Sequence, residues 1–280
     1  MQLISKIVGI FIIGLSLSCS SLIPVEDLSK EALIGIGKLK ELKYNFHAAC
    51  LEECNFTKVS QFEIEREANC ACEVYLKADE QVNNLYFVLI DYWEGLYQLS
   101  STEINQYNLN RPATTLAASN LIEFKEEQLL AFQKLTELSL KAVTGQYRKN
   151  RIKSYMEDAD PYQQLISEKL IFVLKENLLG LMEIQNEVWY SFYKSMSFDP
   201  ALNTMDKAAA AREYYGLIDE HRIQTGQIKA LIEVIELIAK EHHKLVSSDL
   251  KLNSSNFKAE IGRISADLRT LHYTYEQLKK

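Results

Sequence analysis

An all-α bundle of about five to six long amphipathic helices is the fold class this sequence predicts, and three observations carry it. Turn formers are scarce: 280 residues hold 10 glycines and 4 prolines, while Leu, Glu, Lys, Ala and Ile abound. Hairpins and sheets draw on Gly, Pro and Asn-Gly pairs that this chain mostly lacks. Apolar residues return at steps of three and four along most of its length, which is the period of one helix face. Pro24, Pro112, Pro161 and Pro200 all fall where that periodicity already stops, so two levels of signal agree.

A first helix is expected after Pro24, with Glu26 and Asp27 in its opening turn, running through Ala32, Leu33, Ile36, Leu39, Leu42 and Phe46 towards Cys54. Asn55, Thr57 and Ser60 mark a turn. A second helix, over 61–99, carries Cys70, Cys72 and the aromatic run Tyr86, Phe87, Tyr92, Trp93 and Tyr97. Residues 26–99 would then form an N-terminal helical hairpin, the first part of a single helical bundle domain over 26–280. The longest break, 100–115, clusters Asn105, Asn108, Asn110 and Pro112, and the remainder of the domain spans 116–280.

A third helix over 116–156 is read from Ile122, Leu129, Leu130, Phe132, Leu135, Leu138 and Val143, with Gly145 as a bend or interruption. Asp160 and Pro161 look like the cap and first residue of a fourth helix. That helix runs to about Met196, where Phe198-Asp199-Pro200 closes it. A fifth spans 205–246, and a polar break follows over 247–255. In the last helix Phe257, Ile261, Ile264, Leu268, Leu271, Tyr275 and Leu278 alternate steps of four and three, a heptad seam. Five other amphipathic helices can receive that seam, so packing within the chain is expected. A homo-oligomer joined through 257–278 is the alternative.

The first residues have a different character. Lys6 precedes an apolar run over 7–18, which ends at Ser18-Cys19-Ser20-Ser21. A run of about 12 residues is short of the ~20 a membrane-spanning helix needs, so 1–18 reads as an export signal peptide. One Cys where the apolar run meets small residues resembles the cleavage box of bacterial lipoproteins. The resemblance implies that Cys19 becomes the lipid-bearing (palmitate-carrying) first residue of the mature chain. Ser18 fits the small position before the Cys, while Ser16, between Leu15 and Leu17, stands where the pattern has Leu. Ordinary secretion with a cut elsewhere is the alternative. Ser20, in place of the Asp that retains lipoproteins in many inner membranes, favours the outer membrane, with the body facing the periplasm or the cell surface. Residues 19–25 would be the tether, reaching roughly 20 Å at ~3.5 Å per residue.

The net charge of −7 argues against a basic nucleic-acid footprint. No later stretch approaches 18 uninterrupted apolar residues, so the body is expected to be tethered to the membrane rather than embedded in it.

Five cysteines make an odd set. With Cys19 set aside for lipid, Cys50, Cys54, Cys70 and Cys72 remain, an even set in an exported chain, and two structural disulfides are the natural inference. Nested pairing, Cys54 with Cys70 and Cys50 with Cys72, suits an antiparallel hairpin but is one of three connectivities. Cys70 and Cys72 would point apart on a straight helix, so the second helix is expected to begin irregularly there. The alternative is zinc held by four thiolates, or by three and His47. The intervals of three residues and one residue do not match the usual two-residue knuckles.

No short catalytic template is present: no Gly-x-Ser-x-Gly elbow, phosphate loop, dinucleotide fingerprint or His-Glu-x-x-His zinc pattern. None of His47, His221, His242, His243 and His272 has a Glu three residues before it, which a helical di-iron site would want. Glu236, Lys240 and His243 read as a solvated face, with His242 and His243 at most a weak surface metal site. Two aromatic segments remain, 85–97 and 188–193. Core packing is their first reading. A surface built from Trp93, Trp189, Tyr190 and Tyr193 is the second. The chain is therefore expected to be a non-enzymatic binding or scaffolding lipoprotein, held to the outer membrane through its lipid and partnered by another envelope protein. No catalytic residue, metal or cofactor beyond the covalent lipid is expected. A secreted or anchored bundle that binds a small ligand or metal near Trp93 or Trp189 is the alternative.

Overall fold

The computed structural model describes residues 22–64, 69–101, 116, 121–144, 151–248 and 254–279. Among them there is no strand, and the elements in chain order are α1 (Ile23–Gly37), a 3-10 turn (Lys38–Glu41), α2 (Phe46–Ser60), α3 (Glu73–Ser100), α4 (Glu126–Val143), α5 (Ile152–Phe172), a π-helical segment (Val173–Leu178), α6 (Leu179–Phe198), α7 (Thr204–Ser247) and α8 (Ser255–Gln277). Cys19, the leader 1–18, most of the break at 100–115, Gly145 and most of the break at 247–255 lie outside the described residues.

The expected first helix is two helices. α1 ends at Gly37, and Leu42 is extended. Asn45 then starts α2, its side chain accepting from the Ala48 amide at 2.8 Å. The Asp79 carboxylate on α3 accepts from the amides of Phe46 and His47, both at 2.9 Å. The open N–H groups of a helix start thus find acceptors from both sides, and that stabilises the break. At the other end, α2 runs through Asn55 and Thr57 to Ser60, and Phe62 at φ 58° turns the chain. The second helix starts at Glu73 rather than near 61, with Cys72 as its irregular cap.

The expected third helix divides as well, into α4 and the beginning of α5. Pro161 does not open a helix. It sits inside α5, where Ile152, Tyr155, Met156 and Ala159 before it are buried. Burial of that face outweighs the one backbone bond a proline forfeits. α6 closes at Phe198, and Asn203 caps α7, accepting from the Met205 and Asp206 amides.

α1, α3, α5 and α7 form the centre of the bundle, with α4 against α3 and α5, and α8 against α1 and α7. The heptad seam of α8 is spent inside the chain: Phe257, Ile261, Ile264, Leu268 and Tyr275 are buried in that packing. Glycine allows two close crossings. A Cβ on Gly35 would lie 2.6 Å from Val234 Cγ1, and one on Gly95 would lie 2.6 Å from Tyr155 Oη.

Ion pairs fix the direction of the helices. Glu31 meets Arg269 and Lys38 meets Glu276, so α1 and α8 run parallel. Lys244 meets Glu260, and Gly226 packs against Leu278, so α7 runs antiparallel to both. α1 therefore begins at the end of the body where α7 finishes. The start of α7 projects beyond the end of α8 and lies roughly 60 Å from the end of α7 itself, at ~1.5 Å per residue. Over 190–220 only Ala210 is buried, so this α6–α7 hairpin is an arm whose helices pack chiefly on each other.

Candidate functional site

The four cysteines past Cys19 are joined as Cys50–Cys72 and Cys54–Cys70, with Cα separations of 5.9 and 6.0 Å. The nested pairing staples α2 to the start of α3. With every one of these sulfurs bonded to another, the zinc alternative falls. Among the described residues no group of three or more His, Cys, Asp or Glu is placed to hold a metal ion.

The stapled α2 lies against the base of the arm, and His221 locks it there. Its Nδ1 is 2.6 Å from Asn186 Oδ1 on α6 and its Nε2 is 2.9 Å from Glu52 Oε2 on α2. The buried ring packs on Trp189, centroids 4.3 Å apart, and edge-on to Tyr44 at 5.4 Å. Phe56 continues the contact to Trp189, Phe192 and Tyr193. From Tyr193 the aromatic chain extends through Tyr214 to Tyr190 and Tyr215.

The expected aromatic surface therefore divides. Trp93 is fully buried and Trp189 nearly so, so core packing, the first reading, holds for these two and their place in the alternative surface is corrected. Tyr190 is 48% exposed, and Tyr193 is half-buried on the same arm. Tyr215, Phe198 and Met205 join them, exposed at 66%, 72% and 73%. The periodicity of the fifth helix does not distinguish Tyr215 from a core position, which is why the sequence reading passes over it.

A second polar centre lies between α3, α5 and α7. His242, read above as a surface residue, is buried. Its Nδ1–H donates to Asp160 Oδ1 at 2.9 Å, and its Nε2 accepts from the Tyr92 hydroxyl at 2.5 Å. His243, on the exposed face expected with Glu236 and Lys240, donates to the other oxygen of Asp160 at 2.7 Å. Tyr155 stacks on Tyr92, centroids 5.3 Å apart, and donates to its carbonyl. Burial pushes His242 below the ordinary histidine range, more than Asp160 raises it, and burial holds the Tyr92 hydroxyl well above the usual tyrosine value. An aspartate, a histidine and a hydroxyl in line resemble a proton relay. Here, however, the hydroxyl is sealed in the core, and each group is consumed by the next. The arrangement clamps helices together and offers no reacting atom to a substrate.

A cleft of about 260 Å³ opens beside the first centre, between α2, α3 and α6, lined by Tyr44, Glu53, Phe56, Tyr75, Gln185 and Val188 among others. It adjoins Trp189 through Phe56 and His221 through Tyr44, but neither tryptophan lines it.

Fold and site together define an all-helical bundle with a disulfide-stapled hairpin buttressing a projecting two-helix arm. No family model, curated protein or solved structure matches the chain.

Proposed function

We propose that this protein is a lipid-anchored component of a bacterial cell envelope, tethered through Cys19 on the outer membrane, and that it acts by contact rather than catalysis. Another envelope protein would dock on the aromatic side of the α6–α7 arm. The observation that carries the reading is the placement of that arm. Tyr190, Tyr193, Tyr215, Phe198 and Met205 lie on a hairpin that leaves the body at the end opposite Ile23, where α1 begins. A chain held to a membrane at residue 19 would present this hairpin about 60 Å from its anchored end, at ~1.5 Å per residue of α7. Exposed tyrosine and phenylalanine at such a tip have the composition of contact surfaces. The pattern Ser18-Cys19-Ser20 and the pairing of the other four cysteines, which oxidising compartments favour, support the location.

The test uses a photo-crosslinking amino acid placed at Tyr190 or Tyr215 in living cells, with Lys153 on α5 as the control. A discrete crosslinked band from the arm positions and not from position 153 is expected. Equal labelling at all three positions would remove the arm from the proposal. Cys19→Ala tests the anchor separately: the protein should leave the membrane fraction, and its mass should lack acyl chains.

A further inference from the structure

We propose that the cleft between α2, α3 and α6 binds a small organic cation, an amine or quaternary ammonium group with an apolar body. Phe56 and Tyr75 give the cleft an aromatic side, and Leu181, Ile184 and Val188 of α6 give it an aliphatic one. Glu53 is its one formally charged lining residue among those described, and no Lys, Arg or His is part of that lining. A carboxylate flanked by aromatic faces is the surrounding that stabilises a weakly hydrated cation, through both the charge and the ring quadrupoles. An anion there would meet Glu53 with nothing to offset it.

The electrostatics of the walls agree. Burial first, and the charge of Glu53 after it, holds the Tyr75 hydroxyl above its ordinary value, and burial followed by Glu52 and Glu53 does the same at Tyr44. Two further wall groups speak for a built site. Tyr44 is 2% exposed and Gln185 6%, yet Tyr44 Oη and Gln185 Nε2 have no hydrogen-bond partner among the described residues. Buried polar groups in a folded protein are ordinarily paired. Both atoms are covered in this structure, so a side-chain rotation would be needed to turn the Tyr44 hydroxyl or the Gln185 amide, with its two N–H donors, towards a ligand carrying a hydroxyl beside its ammonium. A cleft of about 260 Å³ is at the small end of ligand pockets, which restricts the ligand to the size of a short amino alcohol or a single-ring amine.

Calorimetric titration of the detergent-solubilised full-length protein with choline, tetramethylammonium and phenethylamine, and with dimethylbutanol as the uncharged counterpart of choline, tests the proposal. Saturable binding of at least one cation is expected, with dimethylbutanol at least about tenfold weaker than choline. Glu53→Gln should weaken the cation about tenfold while leaving the helical spectrum and melting temperature in place. Gln185→Leu should weaken choline and spare tetramethylammonium, which has no hydroxyl. Three results would overturn the assignment: no heat from any of the three cations up to about 10 mM, equal binding of dimethylbutanol, or an unchanged affinity in Glu53→Gln. The inference does not rest on the envelope reading, since Cys19→Ala protein should bind the cation as the parent does.

Discussion

Asp160 accepts a hydrogen bond from His242 at 2.9 Å and, through its other oxygen, one from His243 at 2.7 Å, so one carboxylate on α5 ties down two consecutive residues of α7. Burial outweighs the nearby carboxylate and holds His242 below the ordinary histidine value. In the unfolded chain the same ring takes up a proton below about pH 6.5. Stability is therefore complete above that pH and falls as the pH drops from about 6.5 toward the lowered folded value. Burial would raise Asp160, but its bonds from the two histidines hold it below the usual carboxylate range, so its own contribution is lost only in stronger acid. Thermal melts followed by circular dichroism should show a lower midpoint at about pH 5 than at about pH 7, and His242→Gln should flatten the difference. Equal midpoints for the parent at both pH values would remove the buried neutral histidine from the account.

Asp160→Ala should cost about 3 kcal/mol, because it strands two imidazole N–H groups, one of them fully inside the core. Chemical denaturation at neutral pH measures it, and a loss under about 1 kcal/mol would mean the pair is replaced by solvent.

Gly95 and Tyr155 make a coupled pair. A Cβ at Gly95 would sit 2.6 Å from Tyr155 Oη and 3.1 Å from Ala142 Cβ, so Gly95→Ala is expected to destabilise by about 2 kcal/mol through overpacking. Deleting the hydroxyl with Tyr155→Phe makes room. The double variant should then be more stable than the sum of the single losses predicts, and simple additivity in the denaturation cycle would contradict the contact.

The staples close intervals of 22 and 16 residues, for which cross-linking is worth about 3 kcal/mol each. Replacing Cys54 and Cys70 together by Ala should lower stability by about that amount and raise hydrogen exchange in α2 and at the base of the arm, where Glu52 and Phe56 make their contacts. Alkylation without reduction should leave the mass of the parent's four paired cysteines unchanged. Modification of any of them would contradict the pairing.

At the start of α2, Asn45→Ala removes the acceptor of the Ala48 amide and Asp79→Ala removes those of the Phe46 and His47 amides. Each should cost about 1 kcal/mol, the usual worth of a helix cap. Loss of α2 protection with α5 unaffected is the expected exchange pattern.

The sequence by itself determined that this chain is all-α, with no strand among its described residues, where α7 and α8 start and stop to within a few residues, and that four cysteines pair. These follow from local physics: a scarcity of turn formers, a three-and-four apolar repeat, and an even cysteine set. What only the tertiary structure decided is which local signals win. Asn45 opens a helix in the middle of an apolar repeat because Asp79, from α3, completes its cap. Pro161 fails to open one because Ile152, Tyr155 and Ala159 bury a face before it. Trp93 and Tyr190 sit in similar aromatic runs, yet one is core and the other surface, since α1, α4 and α5 close around α3 whereas α7 and Phe56 of α2 meet the far half of α6 and leave Tyr190 open. His242 reads as a polar surface residue until α3 and α5 bring Tyr92 and Asp160 to its two nitrogens. Periodicity records that a helix has an apolar face, but the partner of that face is set by burial between residues far apart in sequence.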